Sequence, residues 1–172
     1  MVSPELLRRY PFFAGLSMEQ IVGLSKSAEE LSVERGHYFF REGEPLDAFY
    51  LVLEGRVDLL IGLLERGSRA VAPELAPKAR ELVVSTSGPG EVFAWSALVP
   101  PCVAISSGKA QTPCRAVAFD CGELRARFED DPRFGFLMTQ KAAQVIRDRL
   151  RDMHLESLGQ ADARGLAIGE RR

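Results

Sequence analysis

Much that would announce a chemistry is scarce in this sequence. Three cysteines, Cys102, Cys114 and Cys121, fit no zinc-ligand spacing and no C-x-x-C pair, and an odd count does not build a disulfide framework. His37 and His154 are the only histidines, and their separation supports neither a metal nor a haem site. Lysine occurs only at Lys26, Lys78, Lys109 and Lys141; every other basic residue is an arginine, scattered and mostly close to an Asp or Glu. With a formal net charge of −2, the chain carries no electrostatic mark of a nucleic-acid surface. The longest apolar run, Leu59 to Leu64, falls far short of the ~20 residues a membrane helix needs. No apolar leader follows Met1, so no membrane partner and a reducing, cytoplasmic setting are expected. Nothing resembles a nucleophile elbow, a P-loop or a spaced pair of carboxylates, and no catalytic residue and no metal ligand are expected.

What is present describes one packed domain. Apolar residues make up 46% of the 172 positions and charged ones 27%, enough to build a core. Residues 1–28 read as short helices: Ser3-Pro4 can start the first, Pro11 interrupts it, and Ser17-Met18-Glu19-Gln20 has the form of a capping box flanked by Leu16 and Ile21. Residues 29–120 read as short strands punctuated by Gly36, Gly43, Gly55, Gly62 and Gly67, the pattern of a sandwich or barrel. The stretch from Leu64 to Lys78 reads as an exposed loop. Residues 121–158 read as helices again, with Asp131-Pro132 starting the longer one and Met138, Ala142, Ile146, Leu150 and Met153 forming an apolar stripe. Residues 159–172 read as a disordered tail.

Four local patterns, in order, resemble one family. Pro11-Phe12-Phe13-Ala14-Gly15-Leu16-Ser17 resembles its lead-in to the first full helix. Arg35-Gly36 with Phe40-Arg41-Glu42-Gly43-Glu44 resembles its strand-turn glycine pair. Phe49 to Val57, reading FYLVLEGRV, resembles its hairpin. Gly90-Glu91-Val92-Phe93 resembles the approach to its phosphate-binding cassette. The sequence is similar in this way to the cyclic-nucleotide-binding domain of the Crp/Fnr family. The resemblance implies an α+β, mainly β fold: a double-stranded β-helix or jelly-roll barrel with N-terminal helices and a long C-terminal helix.

In that family, as the resemblance implies, a short helix N-terminus and an arginine hold the cyclic phosphate and a glutamate holds a ribose hydroxyl. Here the cassette reads Phe93-Ala94-Trp95-Ser96-Ala97-Leu98, with Ala94 at the glycine position and Trp95 at the glutamate position. Counted back from Ala110 to Cys114, the arginine position is Ala104, and Ser106 and Ser107 match the small hydroxyl positions. Trp95 has no acceptor for a hydroxyl and Ala104 no charge for a phosphate. Each lost charge-assisted contact costs roughly 1.5–3 kcal/mol, so cyclic AMP and cyclic GMP are not expected as effectors. Trp95 is either a stacking platform for a ring-bearing ligand or, the plainer expectation, a plug in the vacated space. Lys109 lies next to the cassette, and Cys102 within it reads as an inert thiol.

Two functions remain open from sequence. In one, a stand-alone sensor domain binds a small-molecule effector, a noncanonical nucleotide or an apolar aromatic, or a cyclic nucleotide at a noncanonical site, and signals through its final helix. In the other, a closed pocket leaves a protein-interaction or dimerisation module. Ala142, Ile146, Leu150 and Met153 are the expected seam of a homodimer, with a protein partner as the other route of output. Only Gly159 to Arg172 follow Leu158, fewer residues than a helix-turn-helix needs, so no nucleic-acid partner is expected.

Overall fold

The structure, a computed structural model, describes residues 2–63 and 80–169, with side chains as far as Leu155. The whole of the loop expected from Leu64 to Lys78 lies outside the described residues, as do Met1 and 170–172. The N-terminal helices are α1 (Pro4–Arg8) and α2 (Met18–Lys26), separated by a 3-10 turn at Pro11–Phe13. The capping box forms: Gln20 N donates to Ser17 Oγ at 3.2 Å and Ser17 N to Gln20 Oε1 at 3.0 Å. Ser3 occupies the cap position of α1 but makes no cap bond. Its hydroxyl donates to the Glu5 carboxylate at 2.6 Å, a nearer and charged acceptor.

Eight strands follow: β1 (Ala28–Val33), β2 (Tyr38–Phe40), β3 (Ala48–Glu54), β4 (Val57–Leu63), β5 (Arg80–Ser87), β6 (Val92–Phe93), β7 (Ser107–Ala110) and β8 (Cys114–Asp120). They form two antiparallel four-stranded sheets, ordered β1-β8-β3-β6 and β2-β7-β4-β5. This is the expected jelly-roll, in which inward residues of both sheets share one core. Phe49, Leu51, Val52, Val57, Phe93, Val117 and Phe119 are fully or almost fully buried, and the Phe49 and Phe119 rings stack at 4.6 Å. At the β3–β4 turn Gly55 has φ +88°, and a Cβ there would meet the Pro113 carbonyl oxygen at 2.3 Å, so only glycine fits.

Two helices close the chain. In α3 (Cys121–Asp130) the Asp120 carboxylate accepts from Glu123 N at 2.8 Å, which places the start one residue before the expected Gly122. In α4 (Pro132–Gly169) Asp131 accepts from Phe134 N at 3.0 Å, the expected cap. A disordered tail was expected after Leu158; instead the helix continues to Gly169. Residues 159–169 contain three alanines and no proline, against Gly159, Gly165 and Gly169, each of which costs a helix about 1 kcal/mol relative to alanine. No helix among the described residues is long and apolar enough to cross a membrane.

Candidate functional site

The segment that follows β6 carries the expected cassette. Phe93 ends β6 fully buried, its ring 5.0 Å from Tyr50 and 6.1 Å from Phe40. Ala94 then turns the chain with φ 58° and ψ 28°, a left-handed conformation that glycine takes without strain and alanine does not. That turn launches a 3-10 turn, Trp95–Leu98, in which Ala97 packs into the core and Trp95 and Ser96 stay half-buried. Arg125 of α3 braces it, its Nη1 donating to Ala97 O at 3.2 Å and contacting Cys102 Sγ at 3.6 Å.

From Cys102 to Ala104 the backbone pairs with residues 43–46: Leu46 N donates to Cys102 O, Gly43 N to Ala104 O and Ala104 N to Glu44 O, each at 2.8 Å. This ribbon fixes Ala104 with its side chain in the core, 3% exposed. Ser107 Oγ accepts from Glu42 N at 3.0 Å, a bond between residues 65 positions apart.

Above this segment lies a cavity of ≈ 820 Å³. Its floor is Phe40 with Leu59 and Ile61 of β4; one wall is β5 from Val83 to Thr86; another is Ala94, Trp95 and Ser96 with Ile105 and Ser106. The remaining wall is α4, through Ile146, Arg149, Leu150, Asp152, Met153 and Leu155. Of the nine cassette residues singled out from sequence, Ala94, Trp95, Ser96 and Ser106 face this space. Phe93, Ala97, Leu98, Ala104 and Ser107 do not line it. Trp95, for which a stacking platform and a plug are both open from sequence, is half-buried and is one of the residues that line the cavity.

The α4 stripe is divided. Ala142, expected in a dimer seam, is already 1% exposed within its own chain, beside Met138 and Phe134 in the core. Ile146, Leu150 and Met153 form part of the cavity wall and keep 37%, 51% and 51% of their surface exposed.

Sequence reasoning missed Arg149, the one basic side chain among the described residues that line the cavity. Its Nη1 donates to Ser85 Oγ and, at 3.4 Å, to Thr86 O; its Nη2 donates to Ser87 Oγ at 2.6 Å. The Glu91 carboxylate stands 3.9 Å off. No local signal in sequence could have found this contact, since more than sixty positions separate the partners. Lys109, the cassette's neighbour, turns away: its Nζ sits 4.7 Å over the Tyr38 ring and 4.0 Å from Glu81. Burial pushes the Cys121 thiol up to about 12, which makes it inert, and Cys102 is half-buried. His37 is exposed with its ring 5.5 Å from Phe39, and His154 is exposed on α4. No three His, Cys, Asp or Glu side chains among the described residues converge on a metal position.

This geometry has known relatives. The family model for the cyclic nucleotide-binding domain matches residues 30–131. A curated protein of Mycobacterium tuberculosis, a CRP-like cAMP-activated global transcriptional regulator, is 31% identical over 147 residues, 86% of this chain and 58% of its own length. The chain therefore spans less than two thirds of that relative. Among solved structures, a protein of Geobacter metallireducens described as cyclic nucleotide-binding is 31% identical with a TM-score of 0.73, over 87% of this chain and 99% of its own. The N-terminal domain of a transcriptional regulator from Streptomyces coelicolor is 29% identical with a TM-score of 0.61, over 86% of this chain and 94% of that one.

Proposed function

Because the chain belongs to the cyclic nucleotide-binding domain family, we propose that it is a regulatory sensor domain whose cavity receives a small-molecule effector other than cyclic AMP or cyclic GMP, with the position of α4 as its output. The observation that carries this reading is the open cavity of ≈ 820 Å³ with α4 as one wall. A volume of that order suits a compact organic ligand. A molecule filling it touches β5, the Trp95 turn and α4 at once, so occupancy and helix position are coupled through direct contact. The open space favours an effector over the closed interaction module.

Against the cyclic nucleotides stand Ala104, uncharged and turned into the core, Trp95, which offers no acceptor, and Lys109, engaged with Tyr38 and Glu81. Calorimetric titration is expected to show no tight binding of either nucleotide, and low-micromolar affinity for one would overturn this part. A thermal-shift screen of metabolites is expected to return a stabilising ligand, since one present at 100 times its Kd raises stability by about 2.7 kcal/mol. That stabilisation should vanish in Leu150→Trp, which adds bulk from the α4 wall.

The regulatory output we assign to a homodimer along α4, with a second copy covering Ile146, Leu150 and Met153. Their exposure, on a helix that runs well past the barrel, supports this. Light scattering at tens of micromolar is expected to give a dimer mass that Ile146→Asp reduces to monomer; a monomer mass for the unaltered chain would sink it.

A further inference from the structure

We propose that the cavity takes an amphiphilic monoanion, an apolar body carrying one carboxylate, and that Arg149 of α4 supplies the charge the cassette segment lacks. This rests on the sensor reading above and names the ligand class for that site.

The walls set the body of the ligand. Leu59, Ile61 and Val83 on the sheet, Ile105, and Leu150 and Met153 on the helix offer hydrocarbon on facing sides. Such walls stabilise apolar surface and leave the hydroxyls and ring nitrogens of a polar ligand short of partners.

Arg149 sets the head. Its side chain is 19% exposed, and the oxygens within hydrogen-bond distance of it are neutral: the Ser85 and Ser87 hydroxyls and the Thr86 carbonyl. The two carboxylates that line the cavity are more solvated. Glu91 is 53% exposed and 3.9 Å from the guanidinium, and Asp152 is exposed. Nη1 donates to Ser85 and Thr86 and Nη2 to Ser87, while Nε has no partner among the described residues. The Nε–Nη2 edge of a guanidinium is one that grips a planar carboxylate with two parallel bonds. Among the described residues Arg149 is the one cation on a lining that also carries Glu91 and Asp152, so a second negative charge on the ligand meets repulsion with nothing to balance it, which disfavours a phosphate dianion. Ser85 and Ser87 hold the guanidinium in place before any ligand arrives, so little side-chain entropy remains to be lost on binding.

The test holds the body fixed and varies the head. Octanoate, octanol and octylamine, and 4-phenylbutyrate, 4-phenylbutanol and 4-phenylbutylamine, are titrated into the full chain while Trp95 fluorescence and thermal stability are followed. The carboxylate of at least one series is expected to bind at least tenfold more tightly than its alcohol, with no response to the amine. Arg149→Met is expected to remove that preference, leaving the carboxylate no tighter than the alcohol, and Arg149→Lys to retain part of it. Circular dichroism confirms that both variants fold, and the head-group comparison in the unaltered chain stands even if they do not. Equal binding of alcohol and carboxylate, or a carboxylate preference undiminished in a folded Arg149→Met, overturns the inference and leaves the cavity a ligand site. Silence from all six probes overturns it and counts against the sensor reading too.

Discussion

Replacing Arg149 by methionine removes the guanidinium and keeps most of the apolar stem. The distal part of α4 depends on that group more than on packing. Phe134, Met138 and Ala142 are 3%, 0% and 1% exposed, whereas Ile146, Leu150, Met153 and Leu155 lie between 37% and 58%. Beyond Val145, the polar tie to the barrel among the described residues is Arg149 on Ser85, Thr86 and Ser87. A hydrogen bond to a charged group contributes about 1.5–3 kcal/mol net, and the fully buried Ser87 would lose its guanidinium donor. The Glu91 pair at 3.9 Å, half exposed, adds under about 1 kcal/mol. Allowing for partial solvation of the arginine, the local loss is about 2 kcal/mol, or roughly a 30-fold rise in the open population of the helix end. Native-state hydrogen exchange reads this directly. Amides 147–155 should exchange roughly 30-fold faster in the variant, while those of β8, in the middle of its sheet, stay at wild-type rates. Acceleration below twofold in 147–155, or equal acceleration in β8, would refute the view that Arg149 holds the helix to β5.

Gly55→Ala should cost about 2–4 kcal/mol, combining a left-handed alanine with a backbone clash at Pro113; a urea-midpoint change worth less than about 1 kcal/mol would contradict it. With its thiol pushed to about 12, Cys121 is thiolate in only about one molecule in ten thousand at pH 8; iodoacetamide followed by mass spectrometry should find Cys102 modified and Cys121 untouched in the native protein. The Gln20 amide, and then the Phe134 N–H, hold the Asp131 carboxyl below its ordinary value. Because the folded-state value is the lower one, the resulting stability is present above about pH 4 and is lost as pH falls through the depressed value. Gln20→Leu should therefore destabilise the protein at neutral pH and narrow the stability difference between neutral and strongly acidic solution, measured by urea unfolding at each pH.

The parts of this structure legible in the sequence are those whose cause is local. Ser17 and Gln20 cap each other across three residues, Asp131 meets Phe134 across three, and the glycine-bounded apolar runs became β3 and β4. The site was legible only as a segment. Nothing near Ala104 says that its side chain turns into the core, since its pairing with Gly43 and Glu44 is a long-range event. Lys109 is set aside by Tyr38 and Glu81 on other strands, and Arg149 finds its serines only once α4 lies across β5. Alternation along the stripe identified Ala142 and Ile146 as one face, but not the point between them where that face leaves the core and begins to line open space.

Two residues six positions apart in the N-terminal segment, Ala14 and Gln20, both hold the first part of α4. Gln20 Nε2 donates to Asp131 at 3.0 Å at the helix base, and Lys141 Nζ donates to Ala14 O at 2.6 Å, about two and a half turns further on. In mechanical terms this makes α4 a lever pivoted on its first ten residues, with Arg149 on β5 as the latch; once the latch is released, the helix swings about that pivot. From Lys141 to Gly169 the arm is about 42 Å long at 1.5 Å per residue. A tilt of about 5° at the pinned base then carries the tip nearly 4 Å, close to the width of a side chain, while the wall beside Ile146 moves by well under 1 Å. The gain of the device is its arm length, and the residues that set the pivot belong to the opposite end of the chain.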